Sequence, residues 1–170
     1  MTEERSTYRT IITKRDTRAF TDQPVPEETV RRIVQAGRMA GSSKNTQPCR
    51  FVIIDDPAQK AAIAAAGDFA AWLPAAPLAI AVILTDLGTR QEFDAGRAAQ
   101  NMMVAAWAED IGSCPVSIHH VDQGREALGL PEGWRVSVVL GMGYRAKPPK
   151  SVPEAARLSW DEYVKRDRWS

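Results

Sequence analysis

Two short stretches carry side chains whose types and spacing suit a flat ligand with a charged end. In "ITKRDTRAF", Lys14, Arg15 and Arg18 crowd together around Asp16 and Thr17. A phosphate dianion needs charge-assisted donors, and a guanidinium supplies them in a planar fork that matches its oxygens. The same cations closing a helix would also offset the negative end of its dipole with no ligand at all. Arg157, in "AARLSW", is a cation that could join them from the far end of the chain, and alone it reads as a solvated arginine.

The second stretch is "AGSSKNTQPCRFVII", residues 40 to 54. Ser42 and Ser43 offer hydroxyls, and Asn45 and Gln47 offer amides that both donate and accept, a set able to read the polar edge of a heterocycle. Pro48 stiffens the loop and stops the preceding helix. A capped turn between helix and strand is satisfied by one or two such residues, so a ligand accounts for the loop better.

Other reactive side chains fall outside these stretches. Cys49 heads an apolar run and has no histidine in its motif to lower its pKa, so it reads as packing. Cys49 and Cys114 form neither a CxxC pair nor a cluster with zinc spacing. His119 and His120 are adjacent, and in extended chain they would face opposite ways, a poor metal pair expected at the surface or a pocket rim. Phe69 and Trp72 could cap a flat ligand or lid a substrate channel, but aromatic residues near strands are more often core, and the core is the expectation for both.

Elements must position these groups. A helix is expected from about Glu3 to Arg15, with Tyr8, Ile11 and Ile12 on one face, and a second from Pro26 to about Met39, with acids at its start and Val30, Ile33, Val34 and Gly37 on one side. "RFVIID", "PLAIAVILT" and "RVSVVLGMG" are apolar on both faces, which predicts strands covered by layers on both sides. The segment from Asp94 to Gly112 predicts a central buried helix with a narrow polar stripe of Arg97, Gln100 and Asn101. "SCPVSIHHVDQG" reads as a short strand or loop and "REALGLPEG" as a brief helix. The proline-rich, charged tail beyond Gly143 still carries Trp160, Tyr163 and Trp169, which predicts docking, on another subunit for instance.

With 170 residues, 44% hydrophobic, the chain suits one domain. Its 22 basic and 21 acidic residues nearly cancel, so no global field recruits nucleic acid or an anionic membrane. The longest apolar run, Pro74 to Leu84, is well short of the ~20 residues that span a bilayer. "MTEERSTYRT" lacks the pattern of a signal peptide, and a reduced, cytoplasmic protein is the expectation.

Taken in order, "KRDTRAF", "PVPEETVRRIVQAGRMAGSSKNTQPCRFVII" and "DAGRAAQNMMVAAWAEDIGSCP" resemble the motifs of the nitroreductase family over nearly the whole chain. The resemblance implies an α+β three-layer sandwich with a central mixed or antiparallel sheet, and a homodimer with FMN sites at the subunit interface. The arm from about residue 144 to 170 would dock on the partner. By the same resemblance, Lys14, Arg15, Asp16 and Arg18 line the phosphate and the N1/O2 side of one flavin. Ser42, Ser43 and Asn45 reach it from the partner, with Gln47 and Pro48 completing the motif. Pro115, Val116, Ser117 and Ile118 lie over the ring, where Ser117 or Ile118 offers a backbone N–H to N5, and Arg157 joins the phosphate.

Asp16 stands where the family more often has serine, and is expected to orient Arg15 or Arg18. The implied activity is hydride transfer from NADH or NADPH through flavin N5 to a nitroaromatic, a quinone or a similar small molecule, by a ping-pong route needing no side-chain acid or base. Two alternatives stay open. One is an oxygen-dependent, flavin-consuming synthase of the cobalamin lower ligand, whose first motif also resembles "RRDxR"; the other is a flavin-binding protein without turnover.

Overall fold

The computed structural model describes residues 6–85, 89–149, 152–153 and 156–169. The first helix, α1, spans Thr7–Thr13, begun by the Ser6 hydroxyl accepting from the Arg9 N–H at 3.2 Å. Its expected start at Glu3 lies outside the described residues. Its end is earlier than the expected Arg15, because Lys14 turns to extended backbone, φ −56° and ψ 131°. The basic residues therefore follow the helix instead of closing it. Tyr8, Ile11 and Ile12 share a face as expected, but that face is exposed in the single chain.

Helix α2, Glu27–Arg38, starts after Pro26 with Glu27 and Glu28 in its first turn, where acids oppose the positive end of the dipole. Arg32 holds Glu28 at 2.7 Å and takes both oxygens of Glu109, at 2.5 and 2.8 Å, tying α2 to the chain beyond α4. The strands are β1, Cys49–Ile54; β2, Leu78–Leu84; β3, Ile111–Val116; and β4, Arg135–Tyr144. Between them come α3, Pro57–Ala65; α4, Thr89–Ala108; and α5, Val121–Ala127; a short α6, Trp160–Tyr163, lies in the tail.

The sheet order is β1-β2-β4-β3, and every pairing between these strands is antiparallel. Strand β2 is buried along its whole length, and its alternation assigns its faces. Leu78, Ile80, Val82 and Leu84 meet Val30 and Ile33 of α2 and Met102 and Ala106 of α4. Ala79, Ala81 and Ile83 meet Ile63 of α3, Leu73 and Val139. This is the expected α+β sandwich of three layers. Each fully buried large side chain contributes about 1.5–3 kcal/mol, against about 0–1 for a surface ion pair, so the two-sided core holds the fold.

Several elements differ from expectation. Strand β1 lies at the sheet edge and is not covered on both faces, since Arg50 and Ile53 are exposed. Helix α3 was not anticipated; it starts where the Asp56 carboxylate accepts from the Gln59 N–H at 2.7 Å, with Pro57 in the first turn. The central helix ends at Ala108, because Ile111 and Gly112 enter β3. The expected helix "REALGLPEG" begins earlier, at Val121, and stops before Gly129, whose φ of 60° suits a helix exit.

Gly37 lets α2 approach α4 closely, since a Cβ there would stand 2.7 Å from Met102 Cγ and 2.9 Å from its Sδ. Gly37→Ala is expected to lower stability by about 1–3 kcal/mol through overpacking, which outweighs the gain in helix propensity of up to about 1 kcal/mol. The urea unfolding midpoint measures it, and an unchanged midpoint refutes this account of the contact.

Candidate functional site

Strand β3 forms one edge of the sheet, and its outer backbone groups need partners. They find them in the segment that follows α1. Asp16 bridges Ser113 in parallel, with the Thr17 N–H donating to Ser113 O at 3.0 Å. Further along, the Thr21 N–H donates to Tyr144 O at 2.8 Å and the Ala146 N–H to Ala19 O at 3.1 Å. Two missing side chains permit the approach. A Cβ on Gly112 would lie 2.4 Å from Thr17 Cγ2, and one on Gly143 would lie 2.7 Å from Pro77 Cδ and 3.2 Å from Phe20 Cβ.

This anchoring sets the cations on the β3 edge. Lys14 Nζ forms an ion pair with Asp16 and lies 3.4 Å from Met103 Sδ. Asp16 thus pairs with Lys14 and not with Arg15 or Arg18, a correction with a physical cause: the Lys14 side chain is only 9% exposed, and an ammonium so removed from water needs a counter-charge. Arg15 Nη1 donates to Ile12 O at 2.8 Å and Lys14 O at 2.7 Å, while its Nε is buried without a partner. Arg18 Nε lies 3.4 Å from Cys114 Sγ, and its guanidinium sits 5.8 Å from the Trp72 ring centre. Burial pushes the Cys114 thiol up, against the opposing pull of Arg18.

Strand β3 then delivers Pro115 and Val116, followed by Ser117 and Ile118. The segment 66–72 lies against them, since a Cβ on Gly67 would be 2.9 Å from Ser117 O. The N–H groups of His119 and His120 both donate to Ala66 O at 3.0 Å. The chain turns here, so the two histidines do not face opposite ways: both reach Asp68. The β3 edge therefore unites Lys14, Arg15, Asp16 and Arg18 with Pro115 to Ile118 and with Trp72.

It does not unite them with the polar loop. Ser42, Ser43, Asn45, Gln47 and Pro48 occupy the opposite corner, ahead of β1, where Cys49 pairs with Leu84; Ser113 lies level with Met142 and Leu78. Three strand spacings and six residues along β2 separate the corners, a diagonal of about 25 Å. In the loop, Lys44, Asn45 and Gln47 all hold positive φ, 51°, 55° and 49°. Such backbone costs about 1–2 kcal/mol per ordinary residue and is characteristic of ligand sites. Ser42 Oγ accepts from the Gln47 N–H at 2.9 Å, and the Ser43 N–H donates to buried Asp94 at 3.2 Å. Arg157 lies exposed in the tail.

Sequence reasoning passed over Trp72, which supports Arg18, and Asp68, which gathers the histidines. The signal for Trp72 was the alternate glycines of "GMGY" in β4, since a Cβ on Gly141 would lie 2.5 Å from its ring. For Asp68 there was none, because only the fold brings it beside residues 119 and 120. Among the described residues, no group of three His, Cys, Asp or Glu is arranged to hold a metal, and no helix is long and apolar enough to cross a membrane.

Comparison with known proteins identifies the family of this fold. The model of the nitroreductase family matches residues 11–84 and 69–144, and the chain belongs to that family. It is 28% identical over 168 residues, covering 94% of this chain and 96% of the relative, to an Archaeoglobus fulgidus protein named for NADH dehydrogenase and NAD(P)H nitroreductase activity. It is 30% identical over 183 residues, 86% of this chain and 85% of the relative, to the 5,6-dimethylbenzimidazole synthase of Rhodospirillum rubrum. A solved nitroreductase in complex with FMN, from Desulfovibrio desulfuricans, superposes with a TM-score of 0.83 at 29% identity, covering 99% of this chain and 100% of that one.

Both thiols are shifted upward chiefly by burial, so little thiolate forms near neutrality. Iodoacetamide at pH 8 is expected to label Cys49 and Cys114 of the folded chain at least about tenfold more slowly than the urea-unfolded chain. Equal rates, read by mass spectrometry, would contradict the burial argument.

Proposed function

We propose that the chain is a homodimeric FMN oxidoreductase that takes reducing equivalents from NADH or NADPH and passes them to an electron-poor small molecule, a nitroaromatic or a quinone. The observation that carries this reading is the cationic segment held along the β3 edge, with the Arg15 Nε buried and unpartnered. Asp16 is already neutralised by Lys14, which leaves two guanidiniums unopposed by any acid of that segment. That donor set fits a phosphate ester, and the orphaned Arg15 Nε together with the buried, unpartnered Ser113 Oγ offer further polar contacts.

When bound, FMN supplies two-electron hydride chemistry that no side chain here can supply. The residues of the chain bind and orient it. Lys14, Arg15 and Arg18 would hold its phosphate and the N1/O2 side of the ring, Arg157 would add a cation from the tail, and Ser117 or Ile118 would offer a backbone N–H to N5, in the turn set by Pro115 and Val116. Ser42, Ser43, Asn45, Gln47 and Pro48 act from the second subunit, because about 25 Å separates them from the cations of their own chain. The exposed Tyr8, Ile11 and Ile12 of α1, and Phe93 and Met39 beside the Arg97, Gln100 and Asn101 stripe, suit contact with that subunit. Donor and acceptor use one open face in turn, which gives ping-pong kinetics. The two free cysteines suit a reducing cytoplasm.

The likeness to a 5,6-dimethylbenzimidazole synthase, together with Asp16 in the first motif, favours one rival, a flavin-consuming synthase. Purified protein separates the two. A yellow protein bleached by NADH or NADPH and reoxidised by a nitroaromatic or quinone supports the reductase, while loss of the FMN itself in oxygen supports the synthase. Colourless protein that takes up no added FMN overturns both.

Arg15→Ala and Arg18→Ala are each expected to weaken FMN binding by about 1.5–3 kcal/mol, the contribution of hydrogen bonds to charged groups. An unchanged dissociation constant in both removes the phosphate assignment. Light scattering on the FMN-loaded protein is expected to give the mass of two chains, and a loaded monomer would refute the shared site.

A further inference from the structure

The turn that brings residues 66–72 against 117–120 holds a cluster that the chemistry above does not use. The Asp68 backbone N–H donates to His119 Nδ1 at 3.2 Å, and the Asp68 carboxylate lies 3.0 Å from His120 Nε2. A backbone N–H can only donate, so His119 Nδ1 is the acceptor and the ring proton resides on Nε2. Among the described residues no group takes a bond from that Nε2–H, and the His119 side chain is 37% exposed. Phe69 meets His119 edge to face, ring centres 5.6 Å apart, and is itself 72% exposed. A phenylalanine so open, beside a donor so fixed, is not serving the core. The same segment carries Trp72 beside the Arg18 guanidinium, and Arg18 contacts Cys114 on β3, so one stretch of chain links the cluster to the cationic edge.

We propose that His119 is a specificity-determining hydrogen-bond donor for the electron acceptor, its Nε2–H binding a quinone or nitro oxygen while the acceptor ring lies on Phe69. This rests on the reading of the chain as a reductase of such acceptors. In quinone reduction, a hydride from NADH or NADPH adds two electrons and one hydrogen to the acceptor. Negative charge collects on its oxygen, and a proton from water completes the hydroquinone. While Nδ1 accepts from the Asp68 N–H, the His119 Nε2–H stabilises that oxygen as a donor that keeps its proton; the Asp68 carboxylate also lies 3.8 Å from Nδ1.

The test uses the FMN-loaded full chain with menadione as acceptor and 4-nitrobenzoate as a probe bound without reductant. For His119→Phe, kcat/KM for menadione and the affinity for 4-nitrobenzoate are each expected to fall about tenfold, the order of one lost hydrogen bond, with FMN content unchanged. His119→Gln, whose amide N–H can stand near the Nε2–H, is expected to recover to within about threefold. Nitrogen-15 NMR of the histidine side chains is expected to show His119 protonated at Nε2. Wild-type values in His119→Phe, a proton on Nδ1, or an equal slowing of reduction by NADPH and of reoxidation each overturn the proposal. If the wild-type chain takes up no FMN, the underlying reading fails and this one with it; if the wild type turns over menadione and His119→Phe matches it, only this one fails.

Discussion

The architecture depends on how the outer edge of β3 is satisfied. An exposed sheet edge presents unpaired donors and acceptors that recruit another strand. Here the segment from Asp16 to Phe20 fills that role, bonded to Ser113 on one side and reaching Tyr144 and Ala146 on the other. Because this segment lies between α1 and α2, closing the edge also stops α1 at Thr13 and lays the following cations along the sheet. The edge protection and the placement of the cations are one interaction. Gly112 is part of it, since a side chain there would push Thr17 away, and one at Gly143 would clash with Pro77 and press on Phe20.

Electrostatics decides what the cations can still do. Lys14 is nearly buried and an unpaired ammonium there would be costly, so Asp16 answers a local need. That pairing consumes the only acid between Lys14 and Arg18. Arg15 partly caps the α1 carbonyls, yet its Nε stays orphaned, and Arg18 rests between a sulfur and an aromatic face, weak partners for a guanidinium. A carboxylate or phosphate oxygen would be a better partner than any these arginines now have.

Much of this was legible in the sequence because it rests on local rules. Strand β2 announced itself through an unbroken apolar run, α2 through the acids after Pro26, and the cationic cluster through spacing alone. What was not legible depends on the sheet. Helix α3 offers alanines where a helix usually shows large apolar residues, and the small Ala79 and Ala81 of the facing strand let it pack closely. The pairing of Asp16 with Lys14 follows from the burial of Lys14 by α4, which no local pattern reveals. The exposure of β1 follows from its rank in the sheet order. The convergence of His119 and His120 on Asp68 requires the turn after β3, where Ala66 O draws in both N–H groups.

The diagonal separation of the two polar regions has a consequence through symmetry. One chain carries cations at one corner of its sheet and strained amide-bearing backbone at the other, so neither corner alone surrounds a ligand. A two-fold rotation that sets the first corner of one copy against the second corner of another also sets the second against the first. In the dimer proposed above, two equal composite sites would arise from one interface, and a ligand bound in each would tie both chains together. The positive φ values of Lys44, Asn45 and Gln47 cost stability in the isolated chain, and in the proposed dimer contacts across the interface would offset that cost.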